Sequence, residues 1–331
     1  MHGVVLVGGF GTRLRPLTYD VPKPMLPVAH RPMIVRLVEG LAAGGVTDVV
    51  LALGFKPEPF ASAFPGDRHG DVRIHYTVEP EPLDTGGAIA FAARSAGIDD
   101  TFVVANGDII TDLDVAALVA AHRAIGCAAT IHLTPVADPS EFGVVELGEG
   151  SVVRRFIEKP GPGETDSNLI NGGTYVLEPT VLELIEPGRR VSVEREVFPR
   201  LVAQGRLAGF PTDDYWTDAG RPELYRRANL DLVTGARGTT EPAIAEGALV
   251  DATCVVEESV VGRGAEVQAG ATVRRSVLLP EAVVASGALV ERSIVAGTVG
   301  AGARVADCVV AAGHDVAAGT IAEHRLFPDP D

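Results

Sequence analysis

Cysteine is scarce: Cys127, Cys254 and Cys308 are the only three in 331 residues, odd in number and far apart. A disulfide framework and a cysteine zinc site are therefore excluded as organising devices, and reduced core thiols of a cytoplasmic protein are expected. Positive charge is in deficit too. Lys and Arg total 28 against 44 Asp and Glu, a formal charge of −16. Such a balance disfavours a nucleic-acid partner or an anionic membrane surface, because their phosphates repel it. Any polyphosphate ligand must then meet a local cationic pocket or a metal ion. No apolar run reaches the roughly 20 residues that span a bilayer. The first strand begins almost at Met1, so no signal peptide is expected before it.

Two common nucleotide loops are missing. The Walker pattern Gly-x-x-x-x-Gly-Lys-Ser/Thr is absent, and Leu14 stands where a dinucleotide fingerprint needs its third glycine. No nucleophile and base are evidently paired. What remains is a chain with 46% apolar residues, long enough for two domains and a substantial core.

Residues 4–7 read as a short buried strand. It breaks into Gly8-Gly9-Phe10-Gly11-Thr12-Arg13 and later reaches Pro22-Lys23-Pro24. Three glycines in four residues let the backbone turn tightly and bring its N–H groups close to a ligand, where a run of them cradles phosphate oxygens. Taken alone, the glycines fit a plain strand-to-helix turn equally well. A loop that adds Arg13, Arg15 and Lys23 among three prolines has the makings of an anion site.

Up to about Val233, strand and helix signals alternate, which predicts a mostly parallel sheet covered on both faces. Pro32 suits a helix start, and Gly44-Gly45 a stop. Residues 48–53 and 72–78 read as strands. Residues 79–87, Glu-Pro-Glu-Pro-Leu-Asp-Thr-Gly-Gly, lead into an Ala-rich helix, with Thr85 as a candidate N-cap and Gly86-Gly87 as candidate backbone donors. A strand at 102–105 ends in Asn106-Gly107-Asp108, a turn dipeptide by itself but well placed for a ligand at the carboxyl end of an open α/β sheet. A helix at 115–124 and strands at 128–133 and 152–157 follow. Glu158-Lys159 read in isolation as an exposed ion pair.

The first segment resembles the signature of the sugar-1-phosphate nucleotidyltransferases, GGxGTRLxPLT followed by PKPM/L, and about six motifs recur in the family's order. The resemblance implies a Rossmann-like nucleotidyltransferase domain over 1–235. It implies that Val7, Gly8, Gly9, Gly11, Thr12 and Arg13 wrap a nucleoside triphosphate, with Arg13 and Lys23 neutralising its phosphates. Residues 79–87 are similar to the second nucleotide-binding segment of guanylyltransferases, ExxPLGTAG, with Asp84 for Gly and Gly87 for Ala; Glu79, Leu83, Thr85, Gly86 and Gly87 are its carriers here. Which of Glu79, Glu81 and Asp84 would meet a base stays open. Asn106 and Gly107 belong to the nucleotide side. Asp108, and Asp218 of Trp216-Thr217-Asp218-Ala219-Gly220, match the family's metal-binding pair, which implies Mg2+ as cofactor. Gly143 after Phe142, Glu158-Lys159-Pro160 and Asn171-Gly172 look like the sugar-phosphate pocket. The phrase Ser192-Val193-Glu194-Arg195-Glu196-Val197-Phe198-Pro199 also looks guanylyltransferase-like and is read as core packing. Arg221 is read as solvent-facing.

From about Ile244 the texture changes. Val261, Val267, Val273 and Leu279 are six apart, as are Val284 and Val290, Val299 and Val305, and Val310 and Val316, with small residues between. That period predicts a parallel β-helix. It resembles the left-handed hexapeptide β-helix that follows many of these catalytic domains, here over 240–325, with residues from Phe327 onward as a loose end. The implied reaction joins a nucleoside triphosphate to a sugar 1-phosphate with release of pyrophosphate. GTP and mannose 1-phosphate are the first expectation, and dTTP or UTP with glucose 1-phosphate the second. The partners expected are these small molecules and further copies of the chain in a homo-oligomer. A non-catalytic regulatory subunit and an acyltransferase are the readings of other classes. The latter has only His314 and His324 in the helix for a catalytic histidine.

Overall fold

The computed structural model describes residues 1–9, 11–54, 57–238 and 240–329. Phe10 of the glycine loop and Pro330 and Asp331 of the tail lie outside them. By packing, the chain forms two compact units, Met1–Gly9 with Ile34–Trp216, and Phe10–Met33 with Thr217–Asp331. The signature segment thus packs with the last third of the chain.

In the first unit the elements run β1 (His2–Leu6), α1 (Met33–Ala43), β2 (Asp48–Leu53), β3 (Val72–Val78), α2 (Asp84–Ser95), β4 (Phe102–Asn106), α3 (Val115–Ile125), β5 (Ala129–Pro135), β6 (Gly143–Leu147), β7 (Val153–Glu158), β8 (Leu169–Leu177), α4 (Phe198–Ala203) and β9 (Leu207–Pro211). The sheet order is β7-β6-β8-β4-β1-β2-β3, with β5 also on β8 and β9 on β5. The strands β4-β1-β2-β3 are parallel, whereas β8, β6 and β7 add antiparallel. The expected parallel sheet is therefore the centre of a mixed one. Its strands read as unbroken Val/Leu/Ala runs because both faces are covered: Val4, Val5, Val49, Val50, Leu51, Val103 and Val104 have no exposed surface.

Local signals set the helix ends. Asp114 caps α3 by accepting the Ala117 N–H at 3.0 Å, and Gly126 at φ 73° closes it. Thr85 is not a cap, contrary to the sequence reading. It is the second residue of α2, and its hydroxyl is engaged across the fold. The phrase 192–199 forms one π-type turn, Val193–Val197, running into α4.

In the second unit a three-faced, left-handed parallel β-helix occupies the C-terminal third, each face a five-stranded parallel sheet. Inward residues follow in steps of six, six and five, except that the turn after Val295 reaches Val299 in four, so that Val261 stacks on Leu278, Leu278 on Val295, Val295 on Val310 and Val310 on Phe327. Two expectations are corrected here. Leu278, not Leu279, continues the stack, because the third side of each triangle is one residue shorter. Phe327 is no loose end but the last rung of that stack. At one corner Glu258, Arg275, Arg292, Asp307 and His324 all take positive φ. Next to them a ladder climbs the buried core: Ser259 Oγ accepts from Ser276 N, Ser276 Oγ from Ser293 N and Ser293 Oγ from Cys308 N, at 3.0–3.1 Å. Of the three free cysteines only Cys308 is buried; Cys127 and Cys254 are half-buried, less interior than expected.

A helix, α5 (Pro222–Thr234), ties the signature segment to this scaffold. Its buried Asn229 accepts the Ala29 N–H at 2.7 Å and donates to the Tyr225 carbonyl. The Tyr225 hydroxyl donates to the Pro27 carbonyl, and Arg226 donates to the Arg275 carbonyl at 2.9 Å. The segment also contacts the β-helix entry directly, through Arg31 with Glu241 at 2.9 Å and His30 Nε2 with the Pro242 carbonyl at 2.6 Å.

Candidate active site

In the second unit, Gly11 takes φ 60° and starts a 3-10 turn over Thr12–Leu14. Its carbonyl accepts the Thr18 hydroxyl at 2.8 Å. A Cβ on Gly11 would meet Lys23 Cβ at 3.0 Å, so glycine lets the two halves of the segment close on each other. Thr12 and Arg13 stand exposed on this turn, whereas Lys23 is 94% buried after Pro22. Both cations converge on one carboxylate: Lys23 Nζ lies 3.4 Å from Asp218 Oδ1, and Arg13 Nη2 lies 3.7 Å from Asp218 Oδ2.

Sequence reasoning missed Gly220. A Cβ there would stand 2.7 Å from Asp218 Oδ1, 2.8 Å from Arg13 Nη2 and 3.1 Å from Lys23 Nζ. This glycine keeps open the space where the three charges meet. Its position two residues after Asp218 was the available signal. Arg221, expected at the surface, is half-buried at the head of α5. Carboxylate oxygens are the donor type that magnesium takes, and Asp218 Oδ1 borders the space over Gly220, so this residue fits the expected metal.

In the first unit, the carboxyl ends of parallel strands bring distant residues together, as open α/β sheets do. Val7 is buried at the end of β1, and Gly9 is exposed with open space around it. A Cβ on Gly8 would meet Gly54 N at 3.2 Å and Glu79 Oε1 at 3.5 Å. A Cβ on Gly107 would meet the Val7 side chain at 2.6 Å, and the Gly107 N–H donates to the Leu6 carbonyl at 2.9 Å. The turn carrying Asp108 is thereby pressed against the end of β1.

The segment 79–87 has internal partners. Glu79 Oε2 accepts the Leu83 N–H at 2.8 Å, and Asp84 Oδ1 accepts the Thr85 N–H at 2.8 Å. Burial pushes the Glu79 carboxyl up, with the Asp84 charge adding to it and the Leu83 N–H opposing. Glu81 is exposed. The N–H groups of Gly86 and Gly87 both donate to the Val191 carbonyl, at 2.8 and 3.0 Å, and so are not the free donors the sequence suggested. These glycines serve close approach instead: a Cβ on Gly87 would meet the Arg189 carbonyl at 2.9 Å. The Thr85 hydroxyl donates to Glu194 Oε2 at 2.7 Å and accepts the Val193 N–H at 3.0 Å. Glu194, read as core packing, is half-buried and anchors this segment.

Gly143 pairs with Glu158 between β6 and β7. A Cβ on Gly143 would fall 2.6 Å from the Phe156 ring and 3.0 Å from Glu158 Oε2. Burial raises the Glu158 carboxyl, helped by the Glu194 charge and opposed by Lys159 and Arg195. Glu158 and Lys159 are thus more than a surface pair. Lys159 takes φ 54° and donates its N–H to the Phe142 carbonyl at 2.9 Å. Asn171 accepts the Gly173 N–H and donates to the Tyr175 hydroxyl, both at 3.0 Å. Tyr175 is fully buried, and burial, followed by the charges of Glu194, Glu158 and Asp108, holds its phenol well above the usual range. A Cβ on Gly173 would meet Asn106 Nδ2 at 2.9 Å. Asn106, Asn171, Glu158 and Glu194 therefore share one neighbourhood, with the Gly172 carbonyl accepting the Trp216 indole N–H at 2.8 Å.

Comparison with known proteins agrees with this geometry. The nucleotidyl transferase family model matches residues 2–235, and the GMPPB C-terminal domain model matches 239–325. A mannose-1-phosphate guanyltransferase of Schizosaccharomyces pombe is 45% identical over 229 residues, 68% of this chain and 62% of that protein. A mannose-1-phosphate guanylyltransferase of Mycobacterium tuberculosis is 44% identical over 71% of this chain and 65% of its own length. The match thus spans somewhat under two thirds of these relatives. Among solved structures, a putative glucose-1-phosphate thymidylyltransferase from Bacillus anthracis superposes with a TM-score of 0.64 at 27% identity, over 73% of this chain and 97% of that one. HddC from Yersinia pseudotuberculosis, complexed with GMP-PN, superposes at 0.58 with 31% identity, over 69% of this chain and 97% of that one. With the family model covering 2–235 and the signature loop's cations gathered on Asp218, this chain belongs to the nucleotidyl transferase family.

Proposed function

We propose that this chain is a guanylyltransferase that joins GTP to mannose 1-phosphate, giving GDP-mannose and pyrophosphate. The structural observation that carries the class is the convergence of Arg13 and Lys23 on Asp218 around the space left by Gly220. The choice of substrates rests on the relatives named for mannose 1-phosphate and guanylyl transfer. The HddC structure with GMP-PN supports a guanine nucleotide.

In this reading a sugar-phosphate oxygen attacks the α-phosphorus of the triphosphate in line, the P–O bond to the β-phosphate breaks, and pyrophosphate leaves. The nucleophile is already an anion, so no side chain need activate it. The barrier lies in bringing two anions together, and positioning and charge neutralisation lower it. Arg13 and Lys23 neutralise the triphosphate on the loop of Val7, Gly8, Gly9, Gly11 and Thr12. The segment from Glu79 to Gly87, with Asn106 and Gly107, forms the nucleoside side, its Thr85 fixed by Glu194. Gly143, Glu158, Asn171 and Gly172 form the sugar side, and Lys159 holds the incoming phosphate. Asp108 and Asp218 would hold a divalent ion, Mg2+ in this reading, which when bound adds charge neutralisation at the triphosphate. Residues 1–235 carry the catalysis. Residues 240–325 serve as a scaffold and as the surface of a homo-oligomer, where Leu249 and Ile321 are exposed. A cytoplasmic setting goes with this reading; among the described residues no helix is long and apolar enough to cross a membrane.

Pyrophosphate release with Mg2+ over a grid of GTP, ATP, CTP, UTP and dTTP against mannose and glucose 1-phosphates tests the proposal. GTP with mannose 1-phosphate should dominate. Preference for dTTP or UTP with glucose 1-phosphate would replace the substrates and keep the mechanism, and no turnover of any pair would point to a regulatory subunit. Asp108→Asn should lower kcat by roughly 100-fold, the scale of losing a transition-state charge stabiliser. Glu158→Gln should act mainly on KM for the sugar phosphate. Equal losses of kcat from the two changes would contradict these roles.

A further inference from the structure

His132 sits in the middle of β5 with no exposed surface. Its Nε2 is hydrogen-bonded to the Thr212 hydroxyl at 2.9 Å, while Nδ1 has no hydrogen-bond partner among the described residues. Burial pushes the imidazole down to about 4, so the ring is neutral at neutral pH. Opposite it, β8 loses register. Asn171 pairs with Leu133 and Tyr175 with Ile131, so Gly172, Gly173 and Thr174 all face this one histidine. A Cβ on Gly172 would stand 2.4 Å from His132 Nδ1, 3.0 Å from Cε1 and 3.1 Å from Cγ. The imidazole thus fills the volume that a side chain at 172 would take. The Gly172 carbonyl is held by the Trp216 indole, whose ring meets Phe142 edge to face at 5.7 Å. The bulge is clamped between His132 and Trp216, and Asn171 is the last paired residue before it. Leucine or phenylalanine would fill the same space without leaving a buried nitrogen unpaired, an unfavourable state.

We propose that His132 is a positioning residue for the sugar phosphate: its imidazole props the Gly172–Thr174 bulge beside Asn171 and sets the depth of the sugar pocket, so that it selects among sugar 1-phosphates without touching them. The inference rests on the reading of Asn171 and Gly172 as sugar-side residues. It makes His132 and Gly172 a matched pair. The segment 79–87 takes hydrogen bonds from Val191, Val193 and Glu194 and, among the described residues, none from the bulge, so the effect on GTP should be the smaller one, carried by Asn106 where it lies against Gly173.

The test uses the full chain with GTP and mannose 1-phosphate, and measures KM for each substrate in Gly172→Ala, His132→Ala, the double variant and Asn171→Ala. Gly172→Ala should raise KM for mannose 1-phosphate by about tenfold or more and that for GTP by less than about twofold, the signature of lost sugar binding alone. The double variant should return to within about threefold of the parent, because the new methyl enters the space the ring vacated, a coupling expected only of residues in contact. His132→Ala alone should change the ratio of kcat/KM between mannose and glucose 1-phosphates. If Gly172→Ala matches the parent, raises both KM values equally, or is not rescued while Asn171→Ala still weakens the sugar phosphate, the inference falls alone. If Asn171→Ala leaves that KM unchanged, the pocket reading falls and takes the inference with it. Should the His132→Ala cavity prevent folding, His132→Ser with Gly172→Ala poses the same question with less space removed.

Discussion

At the scale of single residues, the missing side chain of Gly220 matters as much as the charged groups around it. A Cβ there would stand 2.7–3.1 Å from Asp218 Oδ1, Arg13 Nη2 and Lys23 Nζ, so the ends of all three side chains would have to shift. Gly220→Ala should lower kcat by about 100-fold, comparable to removing one of the charges it would displace, with little change in thermal stability; near-parental kcat would show that the convergence is not the reactive centre. The two carboxylates Glu158 and Glu194 allow a second prediction. Burial and then the Glu194 charge raise Glu158, so as pH falls Glu158 becomes protonated earlier than an ordinary glutamate and, in its proposed role, gives up the charge that strengthens its acceptance of sugar hydroxyls. Glu194→Gln removes the like charge and should move the acid limb of kcat/KM for the sugar phosphate to lower pH. The substrate's own phosphate ionisation is the same in both proteins, so an unmoved limb would disprove the coupling. Arg13 and Lys23 stood out in the sequence because charge beside glycine and proline is a local pattern, whereas Asp218 and Glu158 were singled out only through the family resemblance. Glu194 and His132 were not legible, since each acts through a neighbour 25 or more positions away in the chain, and Gly220, though it stands beside Asp218, shows its role only where Arg13 and Lys23 arrive from the other end of the chain.

At the scale of elements, the strands at 48–53, 72–78 and 102–105 and the helix at 115–124 were read from the sequence nearly to the residue, because unbroken Val/Leu runs and Gly or Asp end signals are local, whereas β6, β8, β9 and α5 were not placed. Pairing was less legible. The antiparallel flank of β8, β6 and β7 and the bulge at 172–174 depend on which strand lies alongside. In the β-helix the six-residue period was visible, but the shorter third side shifted the stack from Leu279 to Leu278. The helix α5 supplies the third prediction. Asn229 is fully buried and bridges Ala29 N and the Tyr225 carbonyl. Asn229→Ala would leave a buried N–H without a partner and should cost about 1–3 kcal/mol of stability. Because Ala29 lies in the turn between the antiparallel pairs Pro27–Pro32 and Val28–Arg31 of the signature segment, KM for the nucleotide should rise as well. A melting temperature equal to the parent's would refute the tether.

At the scale of the whole chain, the linear order and the packing order differ. The segment 10–33 follows the first strand in sequence, yet it packs with α5 and the β-helix, through Arg31 with Glu241, His30 with Pro242 and Arg226 with Arg275. A chain ending at residue 235 would lose all of these contacts while keeping every motif residue. It should show lower thermal stability and a raised nucleotide KM in the same pyrophosphate assay. Full activity in the shortened chain would mean that the β-helix does not support the loop.

The sequence by itself determined the element types, the hexapeptide period, the family resemblance and the charged residues of the signature loop. All of these are written in short-range patterns of apolarity, glycine and charge. Only the tertiary structure decided that Arg13 and Lys23 meet Asp218, some 200 residues away, that the Gly86 and Gly87 N–H groups are already taken by Val191, and that an imidazole at 132 occupies the place of a side chain at 172. Those facts are matters of close packing between segments remote in sequence. Steric exclusion and hydrogen-bond partnership act across space, and no local pattern of residues records which distant backbone will arrive to fill the gap.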